Sequence, residues 1–369
     1  MNQDGKVCLV TGAARGLGNL IARTFVESGA NSLAVLDLNA EDARHAAKEI
    51  SDWFLEHGQV SPGEIEVEGF GCDVSNEDNV MRVMAEVKER FGKIDVVVNS
   101  AGIVENFPAT QYPTNKMKKL FDININGSYY VAREAAKQML ADGIRGSIIL
   151  IASMSAGVVN VPQPQAPYNA SKAAVRHLAR SLAVEWAKDG IRVNSLSPGY
   201  METSLLRTVL ESSPAGRELK DTWENLTPQG RLGQPEDLKG AAIYLASDAS
   251  LFTTAHDLVV DGGYVSVDCC RRRFSFLLTP ALPVLADCHV GTQSSLTPAA
   301  DPSASQVPLL YFHTQLSRSC SDPDRFLSDS LCLITHSSPR LCAPSRPLLD
   351  PALFRHGPDD FDNTTLEVV

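Results

Sequence analysis

Short apolar runs alternate with longer segments of helical spacing along most of the chain. "KVCLVTG" (residues 6–12) has the length and β-branched content of a strand, whereas "AEDARHAAKEISDWFLEHG" (40–58) has the spacing of a helix. The alternation continues to "HDLVVDGGY" (256–264), with one long helix predicted over 114–143 and a polar segment at about 201–230. Strands that alternate with helices of this length indicate parallel βαβ units. We therefore predict an α/β fold, a doubly wound parallel β-sheet with helices on both faces.

The regular pattern stops at about Ser266. Residues 1–265 form one predicted domain, whereas residues 266–369 are rich in Ser, Pro, Leu and Arg and keep no period. Such a composition is typical of a disordered extension, which we predict for this tail. A redox or metal module and an interaction tail are the alternatives. Six of the eight cysteines lie there at spacings that match no zinc site, so we predict no metal: Cys269, Cys270, Cys288, Cys320, Cys332 and Cys342.

Composition and charge are those of a globular protein, with 44% hydrophobic and 21% charged residues. The net charge of −11 leaves no basic footprint for nucleic acid. No apolar run approaches the roughly 20 residues that cross a bilayer, and the N-terminus lacks the pattern of a signal peptide. The two cysteines outside the tail, Cys8 and Cys72, lie in or beside apolar runs, which suits a reducing compartment. We expect a cytoplasmic protein that binds neither nucleic acid nor membrane.

The segment "TGAARGLG" (11–18) joins the first predicted strand to the first predicted helix. Its glycines, Gly12, Gly16 and Gly18, allow a tight turn and a close approach of the backbone to a pyrophosphate. The N-terminus of the following helix then offers free N–H groups to the anion. Although the spacing is G-x-x-x-G-x-G, the position between strand and helix predicts a Rossmann-type nucleotide site.

The second predicted strand ends in "VLDL", which places Asp37 about 20 residues beyond the glycine segment. A carboxylate there can accept hydrogen bonds from the ribose hydroxyls and repel a 2′-phosphate, which favours NAD. Arg15, within the glycine segment, could instead bind a 2′-phosphate, so NADP stays the alternative.

In "YNASK" (168–172), Tyr168 and Lys172 share one face of a helix because they are four residues apart. A free tyrosine has a pKa of about 10 and is a poor base at neutral pH. A cation nearby can lower that pKa by about 1–3 pH units, which would make Tyr168 a general acid/base. The same spacing is common on solvated helices, so the pair alone leaves both interpretations open.

Taken together, these motifs resemble the short-chain dehydrogenase/reductase family over about residues 5–265. The resemblance adds "NSAG" (99–102), the Asp–Val pair after the third strand, an asparagine in "NING" and the Pro–Gly segment in "SPGYMET". It implies catalytic roles for Asn124, Ser153, Tyr168 and Lys172. It implies cofactor binding by Thr11, Gly12, Arg15, Gly16, Leu17, Gly18, Asp37, Asp73, Val74, Asn99, Ala101, Gly102, Tyr168, Lys172, Pro198, Gly199, Met201 and Thr203.

The active serine has two candidates in "IASMSAG". The apolar strand runs directly into Ser153, where the family's serine sits. Ser155 lies thirteen residues before Tyr168, a spacing common in the family, and stays the second choice.

Several stretches, among them "ENFPATQYP" and "SMSAGVVNVPQPQ", resemble the fungal polyol dehydrogenases and ketose reductases, the ribulose-forming D-arabinitol dehydrogenases above all. The resemblance implies oxidation of a secondary alcohol of a polyol, or the reverse reduction of a ketose. It also implies a homotetramer, if the tail permits its assembly. Glu105, Asn160 and Gln165 are candidate partners for the substrate hydroxyls. The alternatives are a 3-oxoacyl or other ketone reductase of the same family and a nucleotide-binding protein without turnover.

Overall fold

The computed structural model describes residues 3–266. These residues form a seven-stranded parallel sheet in the order β3-β2-β1-β4-β5-β6-β7. The strands are β1 (Val7–Thr11), β2 (Ser32–Asp37), β3 (Glu66–Gly71), β4 (Val96–Asn99), β5 (Ser147–Ile151), β6 (Arg192–Pro198) and β7 (Asp257–Val260). The predicted doubly wound fold is confirmed, and its strand order reverses between β1 and β4.

Helices cover both faces of the sheet. They are α1 (Gly16–Glu27), α2 (Ala40–Glu56), α3 (Glu77–Phe91), α4 (Thr114–Phe121), α5 (Ser128–Asp142), α6 (Ala166–Trp186), α7 (Ser204–Glu211), α8 (Pro214–Leu226) and α9 (Lys239–Ala246). In the described part of the chain, no helix is long and apolar enough to cross a membrane. Of the tail predicted for residues 266–369, all but Ser266 lies outside the described residues.

Alternate residues of each central strand enter opposite cores. Leu9 of β1 packs with the side chains of α3, α5 and α6, whereas Cys8 and Val10 pack with those of α1, α2 and α9. All five residues of β1 are buried, because a strand of a doubly wound sheet is covered on both faces. Cys8 is a free, fully buried thiol, and burial raises its pKa well above the usual range.

The structure divides the single helix predicted over residues 114–143. Between α4 and α5 the chain makes a π-helical turn, Asp122–Gly127. The predicted polar segment at 201–230 contains two helices, α7 and α8, whose apolar sides meet in a small separate core of Leu206, Leu210, Trp223 and Leu232. Both differences lie beside the carboxyl ends of the central strands, where a doubly wound sheet binds its ligands.

Candidate active site

The glycine segment forms the expected tight connection between β1 and α1. Gly12 and Gly16 have φ angles of +63° and +61°, which favour glycine. A Cβ atom at Gly12 would lie 2.8 Å from the Cα of Ala101, and one at Gly18 would overlap the carbonyl oxygen of Gly12. The missing side chains therefore let the glycine segment pack closely against Ala101 and against its own backbone beside the first turn of α1, a cradle that fits a pyrophosphate.

A cleft at this point brings together nine of the predicted cofactor residues. It lies where the strand order reverses, in the position where doubly wound folds hold dinucleotides. Those residues are Gly12, Arg15, Gly16, Gly18, Asp37, Asp73, Val74, Ala101 and Gly102. Asp37 accepts hydrogen bonds from the backbone N–H groups of Ala14 (2.9 Å) and Leu38 (2.8 Å). These residues fit a nicotinamide dinucleotide.

Two predicted cofactor residues, Thr11 and Asn99, lie beneath the cleft. The Thr11 hydroxyl donates to Asn99 Oδ1 (2.7 Å) and accepts from the Ala101 N–H (3.2 Å). The Asn99 amide donates to the Ser128 hydroxyl (2.9 Å). Thr11 and Asn99 are both buried, so they brace the floor of the cleft.

The Pro–Gly segment at the end of β6 is not part of the lining described for this cleft. Gly199 donates its N–H to the carbonyl of Val260 (2.9 Å), and Thr203 caps α7 by accepting from the Leu206 N–H (3.3 Å). Met201 packs with Leu17, so this segment touches the first turn of α1. Pro198 is the last residue of β6 and is buried.

Asn124 occupies the π-helical turn and ties three elements together. Its side chain accepts from the Ile103 N–H (2.9 Å) and donates to the Ile103 carbonyl (3.0 Å) and the Ser171 hydroxyl (3.0 Å). The Ser128 N–H bonds to the carbonyl of Ile125, so the Asn124 carbonyl accepts the Ser128 hydroxyl instead (2.7 Å). Asn124 therefore fixes the segment after β4 relative to α6.

Tyr168 and Lys172 lie on the buried face of α6. Burial raises the pKa of Tyr168 to about 12, and its hydrogen bond with Ser153 lowers that pKa in part. Burial also lowers the pKa of Lys172 to about 7. The Lys172 ammonium donates to the Ile151 carbonyl (2.9 Å) and lies 5.7 Å from the Tyr168 ring centroid.

The expected depression of the Tyr168 pKa by Lys172 is therefore wrong for this structure. Desolvation of the buried phenol is the largest cause of the raised pKa of Tyr168. Desolvation also disfavours the charged form of Lys172, which weakens its influence on its neighbour.

The structure places Ser153, the first-choice serine, next to Tyr168. Ser153 follows β5 and accepts from the Ser155 N–H (3.1 Å), and its hydroxyl bonds to the Ser155 hydroxyl (3.0 Å). The Tyr168 phenol shares a hydrogen bond with Ser153. Ser155 is one hydrogen bond further from the phenol.

The three candidate substrate partners have neighbours of their own. Asn160 and Gln165 are buried and joined by a hydrogen bond of 2.8 Å, and Asn160 also donates to the Tyr200 hydroxyl (3.1 Å). Glu105 forms an ion pair with Lys116 (3.0 Å). Of the three, the two amides link the loop before α6 to Tyr200.

Four further residues shape the site without having been singled out in the sequence. Ser128 and Ser171 bond to Asn124, and both are serines one helical turn from a motif residue, which is the signal that could have found them. Tyr200 stacks on Trp223 of α8 with ring centroids 4.1 Å apart. The Glu202 carboxylate accepts from Lys220 of α8 (2.5 Å), which holds its pKa below the usual range.

Comparisons with known proteins agree with this geometry. A family model described as "Enoyl-(Acyl carrier protein) reductase" matches residues 12–265. The ribulose-forming D-arabinitol 2-dehydrogenase of Scheffersomyces stipitis is 43% identical over 265 residues, 71% of this chain and 94% of that protein. The NADH-dependent L-xylulose reductase of Ambrosiozyma monospora is 40% identical over 267 residues, 71% of this chain and 96% of that protein.

Among solved structures, a gluconate 5-dehydrogenase from Burkholderia cenocepacia in complex with NADP and tartrate is similar, with a TM-score of 0.65. It is 36% identical, and the match covers 72% of this chain and 98% of that one. The resemblance inferred from the motifs is thereby confirmed. With the glycine cradle and the buried Tyr168–Lys172 pair, these matches show that the chain belongs to the short-chain dehydrogenase/reductase family.

Proposed function

We propose that this member of an oxidoreductase family interconverts a secondary alcohol of a polyol and the corresponding ketose. The observation that carries the proposal is the Tyr168 phenol, hydrogen-bonded to Ser153 and one helical turn from the buried Lys172. The names of the D-arabinitol and L-xylulose relatives supply the substrate class. A five-carbon polyol such as arabinitol is therefore the first substrate to test.

The proposed mechanism gives each side chain one task. In the oxidative direction, Tyr168 as phenolate takes the proton of the substrate hydroxyl, so the substrate complex has to lower the pKa that burial raises to about 12. The bound dinucleotide supplies the acceptor for the hydride. Ser153 donates a hydrogen bond to the substrate oxygen as charge shifts on it. Lys172 holds a proton close to Tyr168, and Asn124 positions a water that links Lys172 to solvent.

NAD is the proposed cofactor. The Asp37 carboxylate lies in the cleft at the end of β2, where a negative charge disfavours a 2′-phosphate. The L-xylulose relative is named as NADH-dependent, whereas the gluconate 5-dehydrogenase structure contains NADP. Arg15 lies in the same cleft, so both dinucleotides belong in the test.

The test compares the full chain with Tyr168→Phe. Each is mixed with NAD or NADP and a panel of four- to six-carbon polyols, and the absorbance of the reduced nicotinamide is followed. We expect turnover of arabinitol with NAD and a loss of at least about 100-fold in the variant, since general acid–base catalysis contributes about 10²–10⁴-fold. The variant's thermal unfolding midpoint serves as the folding control.

The same panel includes a 3-oxoacyl thioester with NADH and NADPH. The description of the matching family model and the exposed Lys118 and Lys119 of α4 motivate this second candidate. Reduction of the thioester without turnover of any polyol would replace the proposed substrate and keep the mechanism. Binding of the dinucleotide without turnover of any substrate would indicate a nucleotide-binding protein.

A further inference from the structure

The segment that follows β4 carries an acidic residue, Glu105, directly after a residue that packs with Tyr168. We call residues 103–113 the β4–α4 loop. Both backbone groups of Ile103, its first residue, are held by the Asn124 side chain. The next residue, Val104, is buried in a small core with Tyr168 and Leu120. Because Ile103 and Val104 are held in this way, the backbone that leads into Glu105 is anchored close to Tyr168.

The carboxylate of Glu105 is only half satisfied. Its side chain is 13% exposed, and Oε1 pairs with the Lys116 ammonium at 3.0 Å. The other oxygen, Oε2, is buried and has no hydrogen-bond donor among residues 3–266. Buried polar atoms without a partner are rare and costly, so this oxygen needs an explanation.

A second unpartnered group lies in the same loop. The Tyr112 hydroxyl is buried without a hydrogen bond in the described part of the chain. Burial and the nearby Glu105 charge raise the pKa of Tyr112 to about 12. The centroid of the Phe107 ring lies 5.1 Å from that of the Tyr112 ring and 4.9 Å from the Lys116 ammonium. Two buried oxygens thus share one small region, and one of them carries negative charge.

A polyol offers what this region lacks. A carboxylate accepts hydrogen bonds and donates none, so Oε2 requires an O–H or N–H group. A polyol carries hydroxyl groups on the carbons beside its reacting carbon, whereas a simple secondary alcohol carries none. Resting on the proposed function, we infer that Glu105 determines specificity: small movements on binding let Oε2 accept a hydroxyl that the reaction does not change. Hydrogen bonds to charged groups are among the stronger ones in proteins.

The competing explanation is internal. Tyr112 could turn its hydroxyl onto Glu105, in which case the carboxylate only stabilises the loop. The two explanations predict different effects of Glu105 variants on a polyol and on a simple secondary alcohol with the same number of carbons. A recognition role affects polyols alone, whereas a structural role affects every substrate to the same extent.

The experiment measures kcat and KM for arabinitol and for 2-pentanol, with the cofactor that the wild-type chain prefers. Glu105→Ala removes the acceptor, Glu105→Gln keeps a weaker one, and Asn106→Ala is the control in the neighbouring exposed position. For Glu105→Ala we expect kcat/KM for arabinitol to fall about 10- to 100-fold, mainly through KM, with 2-pentanol changed less than about threefold. Glu105→Gln should fall between wild type and Glu105→Ala, and Asn106→Ala should behave as wild type.

Three other outcomes count against the inference. Equal losses on both substrates would show that Glu105 only holds the loop. Unchanged kinetics in both Glu105 variants would show that it contacts no substrate. Either result leaves the proposed function standing if the wild-type chain oxidises arabinitol. A wild-type chain that oxidises no polyol of the panel overturns both. The thermal unfolding midpoint of each variant separates misfolding from loss of recognition, and Glu105→Gln provides the answer if Glu105→Ala does not fold.

Discussion

At the scale of single residues, burial governs the proton affinity of the two central side chains. Tyr168 and Lys172 are 6% and 2% exposed. Desolvation raises the pKa of Tyr168 and lowers that of Lys172, so it favours the neutral form of both. The motif itself could be predicted from residue type and spacing. The direction of the Tyr168 shift could not, because the number of apolar neighbours around a helix face is a property of the packed fold. Ser153 was predictable because the apolar strand runs directly into it.

The buried lysine leads to a prediction about stability and pH. Lys172 has a pKa of about 7 in the folded chain against 10.5 when unfolded, so between these values the unfolded chain binds more protons. Without cofactor, the free energy of unfolding of wild type should therefore increase with pH over this range by up to about 1.4 kcal/mol per pH unit more than that of Lys172→Met. The stabilising contribution is complete above the unfolded pKa and is lost as the pH falls to about 7.

Urea unfolding of wild type and Lys172→Met at several pH values from 7 to 10 measures this difference. The window stops at pH 10 because Tyr168 also titrates above it. A constant difference across the window would mean that the buried lysine keeps its proton and that a counter-charge stabilises it.

At the scale of elements, the π-helical turn between α4 and α5 organises the site. It turns the Asn124 carbonyl away from the regular helix pattern and gives it the Ser128 hydroxyl as donor. The apolar spacing of residues 114–143 predicted a helix correctly but not this turn, because inserting one residue into a turn barely changes the pattern of the sequence. The helices α7 and α8 were missed because they are short, with 8 and 13 residues, and face a separate core.

Removing the Ser128 hydroxyl tests the importance of this turn. In Ser128→Ala the Asn124 carbonyl loses a donor and the Asn99 amide loses an acceptor, both in a buried region. We expect the free energy of unfolding to fall by about 1–3 kcal/mol, and turnover to fall with it. Ser181→Ala is the matched control, because the Ser181 hydroxyl makes the same kind of bond to His177 on an exposed face. Equal stability of the two variants in urea would show that other contacts hold the turn.

At the scale of the whole molecule, residues 3–266 contain a seven-stranded doubly wound sheet in which β3 and β7 are the edge strands. The strand–helix alternation predicted this architecture because parallel neighbours need a crossover between them. The Asp37 and glycine positions followed from the same reasoning, since both lie at carboxyl ends of strands. The contacts of individual loops could not be predicted, because residues far apart in sequence, such as Ile103 and Asn124, meet only in the fold.

A chain truncated after Ser266 tests whether this part is sufficient. The matched relatives cover 71% of the chain with 94% and 96% of their own length. We expect kcat/KM of the truncated chain to lie within about twofold of the full chain, as for a self-contained domain. Size-exclusion chromatography of both chains tests the predicted tetramer. A chain truncated before Asp257, which lacks β7, is the control that should not fold. Loss of activity in the chain truncated after Ser266 would show that residues 267–369 contribute to folding or activity.

The attachment of the β4–α4 loop also bears on which residues evolution can substitute and which it has to conserve. Asn124 holds the loop at Ile103, and Val104 packs with Tyr168, so the proposed reaction machinery and the proposed specificity residue meet at the start of the loop. Beyond Val104, the contacts described for the loop are with Lys116 of α4 and within the loop itself. A few substitutions in this loop could thus change the substrate specificity during evolution. A protein engineer could attempt the same change by grafting residues 105–112 from one relative onto another.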